Sequence, residues 1–248
     1  MEKWFDFKGR GTNASTEVIA GITTFITMVY IAIVNPAILS KTGMDFNGVF
    51  VATILATMIG TLIMGVFSNY PIAIAPGMGL NSFFAFAVVL ALGITWQKAL
   101  GAVFIASLIF LVLSFTKFRN VLINSIPESL KHSITAGIGL FIAFIGLQGS
   151  KIIVDSPATL VTFGHASDPV VLLTIFNLFV TVVLMMFNVR GNIFIGMVIT
   201  AIIALFNGMI TLPPSLFVWP TGLEHTAMQM DIKGVFDNNL YAIIFTFF

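Results

Sequence analysis

Long apolar stretches, separated by short segments that carry the charges, set the organisation of this chain. A membrane-crossing helix needs about 20 mostly apolar residues, and several stretches between the charged positions approach or reach that length. The pattern predicts seven spans and the beginning of an eighth near Leu240. The predicted spans are Val18 to Ser40, Val49 to Phe67, Ile72 to Leu92, Ala99 to Thr116, Ser133 to Ser150, Val170 to Val189, and Asn192 to Leu212.

The third predicted span contains residues that an ordinary membrane helix avoids. It lies in an uncharged stretch from Phe46 to Gln97, which the turn sequence SNYP divides in two. The span begins IAIAPGMGLNSFFAF, and its Pro76 lacks an N–H and disfavours helical backbone at the residue before it. Residues Ile72 to Ala75 are therefore predicted to be extended, with a helix that begins near Gly77 or Met78.

A half-helix that begins near the middle of the bilayer would turn its free N–H groups and positive dipole end toward a cavity. Gly77 and Gly79 would let a ligand approach the backbone closely. Asn81 and Ser82 would hydrogen-bond a polar ligand, and Phe83 and Phe84 would stack on a planar one. The alternative is a proline-kinked helix packed through small residues, with Asn81 bonded to a neighbouring helix.

The first predicted span carries a second group of polar residues. Thr23, Thr27 and Tyr30 recur at helical spacing, so they form one polar stripe that points into a helix bundle. Threonine also commonly bonds to the backbone of its own helix, so local satisfaction with packing is the alternative. The pair Asn35-Pro36 is predicted to break this helix near the outer surface.

Composition makes the membrane interpretation firm and excludes several classes of function. The chain is 58% hydrophobic and 8% charged, whereas a soluble domain carries about 25% charged residues. A net charge of +1 gives no basic field for nucleic acid, and there is no cysteine. The three histidines form no metal-ligand pattern, and no charge lies at the centre of a complete span. We therefore predict a multi-pass protein of the cell membrane without a catalytic residue, metal or cofactor.

Lysine and arginine positions orient the predicted spans. With the N-terminus inside the cell, seven of the 11 basic residues, including every arginine, lie on the cytoplasmic side. Because the sequence ends inside an apolar stretch, we expect a longer transporter, and seven spans suit one half of an inverted repeat. The predicted segments are a cytoplasmic N-terminus (1–17), spans one to four (18–116), a cytoplasmic connector (117–132), spans five to seven (133–212), an outer loop (213–239) and the start of span eight (240–248).

Three motifs carry a resemblance to a known family. GITTFITMVYIAIVNPAIL, APGMGLNSFFAF and IPESLKHSITAGIGLFIAFIGLQ resemble the nucleobase–cation symporters, in the branch of azaguanine-like hypoxanthine/guanine/adenine permeases. The resemblance covers essentially the whole chain. It implies an all-α fold of two inverted seven-span repeats, in which each repeat gives four spans to a core domain and three to a gate domain. This chain would form the first repeat, with 18–116 in the core, 133–212 in the gate and a third span broken by a short extended segment.

The resemblance also implies a function and roles for single residues. The expected activity is secondary active transport of a purine nucleobase with a proton or another cation, and relatives suggest a homodimer. Asn81 would be the third-span polar residue for the purine, Phe83 the aromatic near its ring, and Thr27 a first-span contact. The family's acidic residues of spans eight and ten would couple protons, beyond the end of this sequence. The alternatives are a transporter of the same fold for uracil, xanthine, urate or an inorganic anion, a membrane enzyme, and a structural half-subunit.

Overall fold

The computed structural model describes residues 11–117, 124–211, 221–237 and 241–247, together with Phe5, Phe7, Gly9 and Val121. Parts of the predicted N-terminal segment, connector, outer loop and final span lie outside these residues. The described chain is mostly helical. Its helices are α1 (Ala14–Met28), α2 (Ile31–Leu39), α3 (Phe46–Phe67), α4 (Met78–Ser82), α5 (Trp96–Ser114), α6 (Glu128–Gly149), α7 (Pro169–Met186), α8 (Asn192–Phe206), α9 (Ile232–Asp237) and α10 (Tyr241–Phe247).

The helices occupy the positions that the hydrophobic pattern predicts. Five helical stretches in the described chain are long and apolar enough to cross a membrane, and they correspond to the predicted spans one, two, four, five and six. Two shorter apolar helices, Met78–Leu90 and Asn192–Phe206, stand at spans three and seven. Side-chain caps explain two of the starts, since Asn13 accepts a hydrogen bond from the Thr16 N–H and Asp168 from the Val170 N–H.

The first predicted span is interrupted at a different place from the one expected. The sequence places the break at Asn35-Pro36, but α1 ends at Met28 and Pro36 lies inside α2. Short backbone bonds that span three residues, such as Ala32 N to Val29 O (3.1 Å), follow the interruption. Asn35 and Pro36 are both buried, so tertiary packing holds them in helical backbone that local preference alone disfavours.

A β-hairpin corrects the all-α prediction. Strands β1 (Ile153–Ser156) and β2 (Leu160–Phe163) pair antiparallel between α6 and α7, with Ile153 opposite Phe163. The β-branched residues of these strands suit a sheet, and in the turn between them the Thr159 hydroxyl donates to the Val161 carbonyl (2.8 Å). Helix also enters two segments predicted as connections, because α6 begins at Glu128 and α9 lies within the outer loop. The predicted domain boundaries remain predictions.

The chain forms two compact units, and each is described separately. Unit 1 comprises Met1–Ile33, Ile54–Ala75 and Ile145–Trp219. In unit 1, α8 packs on α7, and Gly196 lies so close to Thr181 that a larger residue there would clash. α8 also contacts α1. Unit 1 is therefore built around the α7–α8 pair.

Unit 2 comprises Val34–Thr53, Pro76–Phe144 and Pro220–Phe248, and it holds the larger buried core. α5 carries small residues, among them Ala99, Gly101 and Ala102. They let the backbone at Asp231, in the segment Pro220–Phe248, approach α5 closely. The Asp231 N–H donates to the Gln97 carbonyl (3.0 Å), which fixes the start of α9 on α5. The buried apolar residues of this core include Val49, Phe84, Val88, Val89, Ala99, Ala102, Ala106, Val235, Ile243 and Ile244.

Substitution of Gly101 tests this packing. A Cβ at Gly101 would lie 2.7 Å from the Asp231 carbonyl oxygen, so Gly101→Ala has to push α9 away from α5. We expect the free energy of unfolding to fall by about 1–3 kcal/mol. The control is Gly65→Ala in α3, where a Cβ meets nothing within 4 Å and alanine improves helix propensity by up to about 1 kcal/mol. Unfolding in mixed micelles measures both, and equal stabilities would contradict the packing.

Candidate functional site

The backbone between α3 and α4 belongs to no helix or strand. α3 ends at Phe67, residues 68–77 follow without regular structure, and α4 begins at Met78. Gly77, the residue before α4, has extended dihedrals (φ −75°, ψ 107°). The sequence predicts extended backbone at this place because Pro76 removes an N–H and restricts Ala75. The chain therefore presents non-helical backbone inside one of its most apolar regions.

Thr61 on α3 satisfies part of that backbone. Its Oγ1 accepts a hydrogen bond from the Ile74 N–H (3.0 Å) and donates to the Ile74 carbonyl (3.3 Å). Gly60 permits the approach, because a Cβ at that position would lie 3.2 Å from the Ile74 side chain. Backbone polar groups in apolar surroundings need a protein partner, and here one hydroxyl supplies bonds that a helix would otherwise supply.

The helix that follows changes its winding after one turn. The Asn81 N–H donates to the Gly77 carbonyl (3.1 Å), which closes the first turn of α4. Residues Phe83–Leu90 then continue as a π-helical segment, and the Ala91 N–H donates to the Phe86 carbonyl (3.0 Å) at its end. π-helical turns are rare and frequently occur at functional sites.

A chain of hydrogen bonds runs from Asn81 into the buried interior of unit 2. The Asn81 Nδ2 donates to the Asn35 Oδ1 (2.5 Å), and the Asn35 Nδ2 donates to the Thr53 Oγ1 (2.8 Å). The Thr53 hydroxyl in turn donates to the Val49 carbonyl (2.7 Å). Asn35 and Thr53 are 3% and 5% exposed, so these bonds form away from solvent. They join α2, α3 and α4 through polar side chains.

A cavity of about 490 Å³ in unit 2 opens beside Asn81. Most of its described lining is apolar, and the polar lining residues are Asn81 and Ser107. The Ser107 hydroxyl donates to the Val103 carbonyl of its own helix (2.8 Å), so its oxygen is left as an acceptor, whereas Asn81 keeps both an N–H donor and an acceptor. The lining residues are Leu39, Met44, Leu80, Asn81, Phe84, Leu100, Val103, Ala106, Ser107, Phe110 and Phe247.

Five of the residues predicted to bind a ligand lie in unit 2. They are Gly77, Gly79, Asn81, Ser82 and Phe83. Of these, Asn81 lines the cavity. Ser82 is fully buried, and its Oγ has no hydrogen-bond partner among the described residues. The ring of Phe83 packs edge-on against another aromatic ring at 5.7 Å, whereas its neighbour Phe84 faces the cavity. Gly79 is closely approached by the Ile138 side chain.

Thr27 and Tyr30 lie in unit 1. The Thr27 hydroxyl donates to the Thr24 carbonyl (2.8 Å), and the Thr23 hydroxyl donates to the Ile19 carbonyl (2.8 Å). These bonds to the backbone of the same helix are the predicted alternative to a polar stripe that faces the helix bundle. Tyr30 lies in the turn between α1 and α2. A ligand-binding role for either residue stays a prediction.

The sequence interpretation missed Asn35 and Thr53 as parts of the site. A buried asparagine beside a proline in an apolar span is a signal that a polar partner lies nearby. Sequence alone does not identify that partner, because Asn81 follows 46 positions later. Among the described residues, no group of three His, Cys, Asp or Glu side chains is placed to hold a metal ion.

Comparison with known proteins gives consistent matches over the whole chain. A family described as the permease family matches residues 15–247. The guanine/hypoxanthine permease PbuO of Bacillus subtilis is 48% identical over 98% of this chain and 57% of its own length. The adenine permease AdeP of Escherichia coli is 42% identical over 100% of this chain and 55% of its own. The chain thus spans a little over half the length of these relatives, and the resemblance seen in the motifs is confirmed.

Thr61→Val tests how the non-helical segment is held. Valine keeps the shape of threonine but leaves the Ile74 N–H without its partner, so the free energy of unfolding should fall by about 1–3 kcal/mol. Thr200→Val is the matched control, because the Thr200 hydroxyl bonds to its own helix at the Gly196 carbonyl. The control should change stability by less than about 0.5 kcal/mol. Equal losses in mixed-micelle unfolding would show that the Thr61 hydroxyl does not hold the segment.

Proposed function

Because this chain belongs to the permease family, we propose that the protein is a secondary active transporter of purine nucleobases across the cell membrane. Relatives with 48% and 42% identity are named for guanine and hypoxanthine or for adenine, which supports a purine as the substrate. The apolar helices agree with a multi-pass membrane protein. The proposal includes proton coupling, through the acidic residues that the resemblance assigns to later spans.

The single observation that carries the proposal is the chemistry of the cavity in unit 2. A ligand pocket is commonly 300–1,000 Å³, mostly apolar, with few polar groups that fix orientation. This cavity, of about 490 Å³, has apolar and aromatic walls, and among its described lining residues Asn81 offers both a donor and an acceptor while Ser107 offers an acceptor. None of its described lining residues is charged. Such a site suits a flat, neutral heterocycle better than an inorganic anion.

The interrupted third span provides the proposed binding element. Residues 68–77 would cross part of the membrane as extended backbone, and the helix from Met78 would begin near the ligand. Gly77 and Gly79 would admit the base to the backbone, and Asn81 would hydrogen-bond it. Ser82 and Phe83 follow Asn81 in the chain but are not among the described residues that line the cavity, and a contact of either with the base stays a prediction, as it does for Thr27 and Tyr30.

The larger architecture is part of the same proposal. The seven apolar helical regions would form the first of two inverted seven-span repeats, and α10 would begin the eighth span. A core domain from residues 18–116 would then move against a gate domain from 133–212. This arrangement gives alternating access to a site near the bilayer midplane.

Uptake of labelled bases tests the function. In cells without their own purine permeases, the complete gene product should accumulate hypoxanthine, guanine or adenine, and Asn81→Ala should lower the rate about tenfold, since one hydrogen-bonding group is lost. Asn207→Ala is the matched control, because this exposed asparagine bonds only to the Ile203 carbonyl of its own helix among the described residues. It should transport at the wild-type rate.

Competition by unlabelled compounds separates the alternatives. Purines should suppress the uptake, whereas uracil, sulfate and bicarbonate should leave it unchanged. Absence of purine uptake, or suppression by sulfate, would contradict the proposed function.

A further inference from the structure

The hydrogen-bond chain that leads to Asn81 starts from a backbone carbonyl, which can act only as an acceptor. The Val49 backbone carbonyl is an acceptor only, so the Thr53 hydroxyl must donate its single proton to it. The Thr53 oxygen is then left as an acceptor for the next group. Because a backbone carbonyl defines the first donor, the direction of the whole chain follows from chemistry.

Each later member takes the orientation that the previous one leaves open. The Thr53 oxygen requires a donor, so Asn35 turns its Nδ2 toward Thr53 and its Oδ1 toward Asn81. The Asn35 Oδ1 likewise requires a donor, which Asn81 supplies with its Nδ2. A flipped Asn81 amide would set two carbonyl oxygens against each other in a buried site, where an unpaired acceptor is costly.

The amide of Asn81 therefore faces the cavity in one orientation. One of its N–H groups is committed to Asn35, and its Oδ1 makes no hydrogen bond within the described part of the chain. The residue lines the cavity, so it offers a ligand the Oδ1 acceptor and the remaining N–H. A nucleobase edge with an N–H next to an acceptor matches this pair, as asparagine matches adenine in other complexes.

We propose that Asn35 and Thr53 are positioning residues that lock the Asn81 amide with its oxygen toward the ligand, so that the site selects neutral heterocycles with an N–H donor at that point. This inference rests on the proposed function. It adds which partner is the donor, since the Asn81 oxygen accepts a hydrogen bond from an N–H of the ligand. A fully deprotonated anion such as sulfate carries only acceptors, and it would meet the Asn81 oxygen without a donor between them.

Thr53→Val and Thr53→Ser form the test pair. Valine keeps the volume but removes the acceptor that orients Asn35, which frees the Asn81 amide to rotate, whereas serine keeps the hydroxyl. The assay is uptake of a labelled base by the complete gene product, inhibited either by the parent purine or by an analogue methylated at one ring nitrogen. The readout is the ratio of the inhibition constant of the analogue to that of the parent base. A series of such analogues identifies the ligand N–H from which the Asn81 Oδ1 accepts a hydrogen bond.

The wild type and Thr53→Ser should reject the analogue methylated at that nitrogen by about tenfold or more, while Thr53→Val should bring the ratio close to one. A loss of packing alone would weaken parent and analogue together and leave the ratio unchanged. Asn35→Ala breaks the same chain at another point, so it should give the same ratio if Thr53→Val does not reach the membrane.

The outcomes separate this inference from the proposed function. Lack of purine uptake by the wild type would remove the proposed function and the inference with it. Wild-type uptake that discriminates between the analogues, with the same ratio in Thr53→Val and Asn35→Ala, would overturn the inference alone. Wild-type uptake that does not discriminate between parent and analogue at any ring nitrogen would also overturn it. Asn81 would then accept no hydrogen bond from the ligand.

Discussion

Every backbone N–H and C=O in an apolar environment needs a partner, and the structure of this chain follows from how that need is met. Most of the described chain meets it with helices, but residues 68–77, which include Pro76, are not helical. There Thr61 hydrogen-bonds both backbone groups of Ile74, and Gly60 gives the room to do so. These bonds give Ile74 the partners that a helix would otherwise supply.

Side-chain polarity is handled by the same logic around the cavity. Asn35 and Thr53 are buried and hydrogen-bonded to each other, and the donor–acceptor order set by the Val49 carbonyl extends through them to Asn81. This order specifies one arrangement of the amides, because a flipped amide would set two acceptors against each other in a buried site. At the proposed site the bonds that join α2, α3 and α4 would also decide which groups Asn81 presents to a ligand.

The sequence predicted the features that depend on local rules and missed those that depend on tertiary partners. Hydropathy placed the helical regions, and the chemistry of proline placed extended backbone before Met78. The same rule failed at Pro36, which is buried inside α2 next to Asn35, a residue hydrogen-bonded to Thr53 and Asn81. The hairpin at Ile153 was missed because its residues lie between two long apolar stretches. The Asn35–Thr53 pair could not be found, since no local pattern joins positions that meet only in the fold.

Protection of a single cysteine tests the central claim, that a nucleobase occupies the cavity beside the interrupted span. The chain has no cysteine of its own, and Leu80 is a lining residue that is 56% exposed. In Leu80→Cys, a purine should slow modification by a small thiol reagent and sulfate should not, while a cysteine at Met228, outside the lining and 86% exposed, should react equally with either. Equal reactivity of the Leu80 cysteine with and without saturating purine, in protein that still takes up the base, would contradict the account.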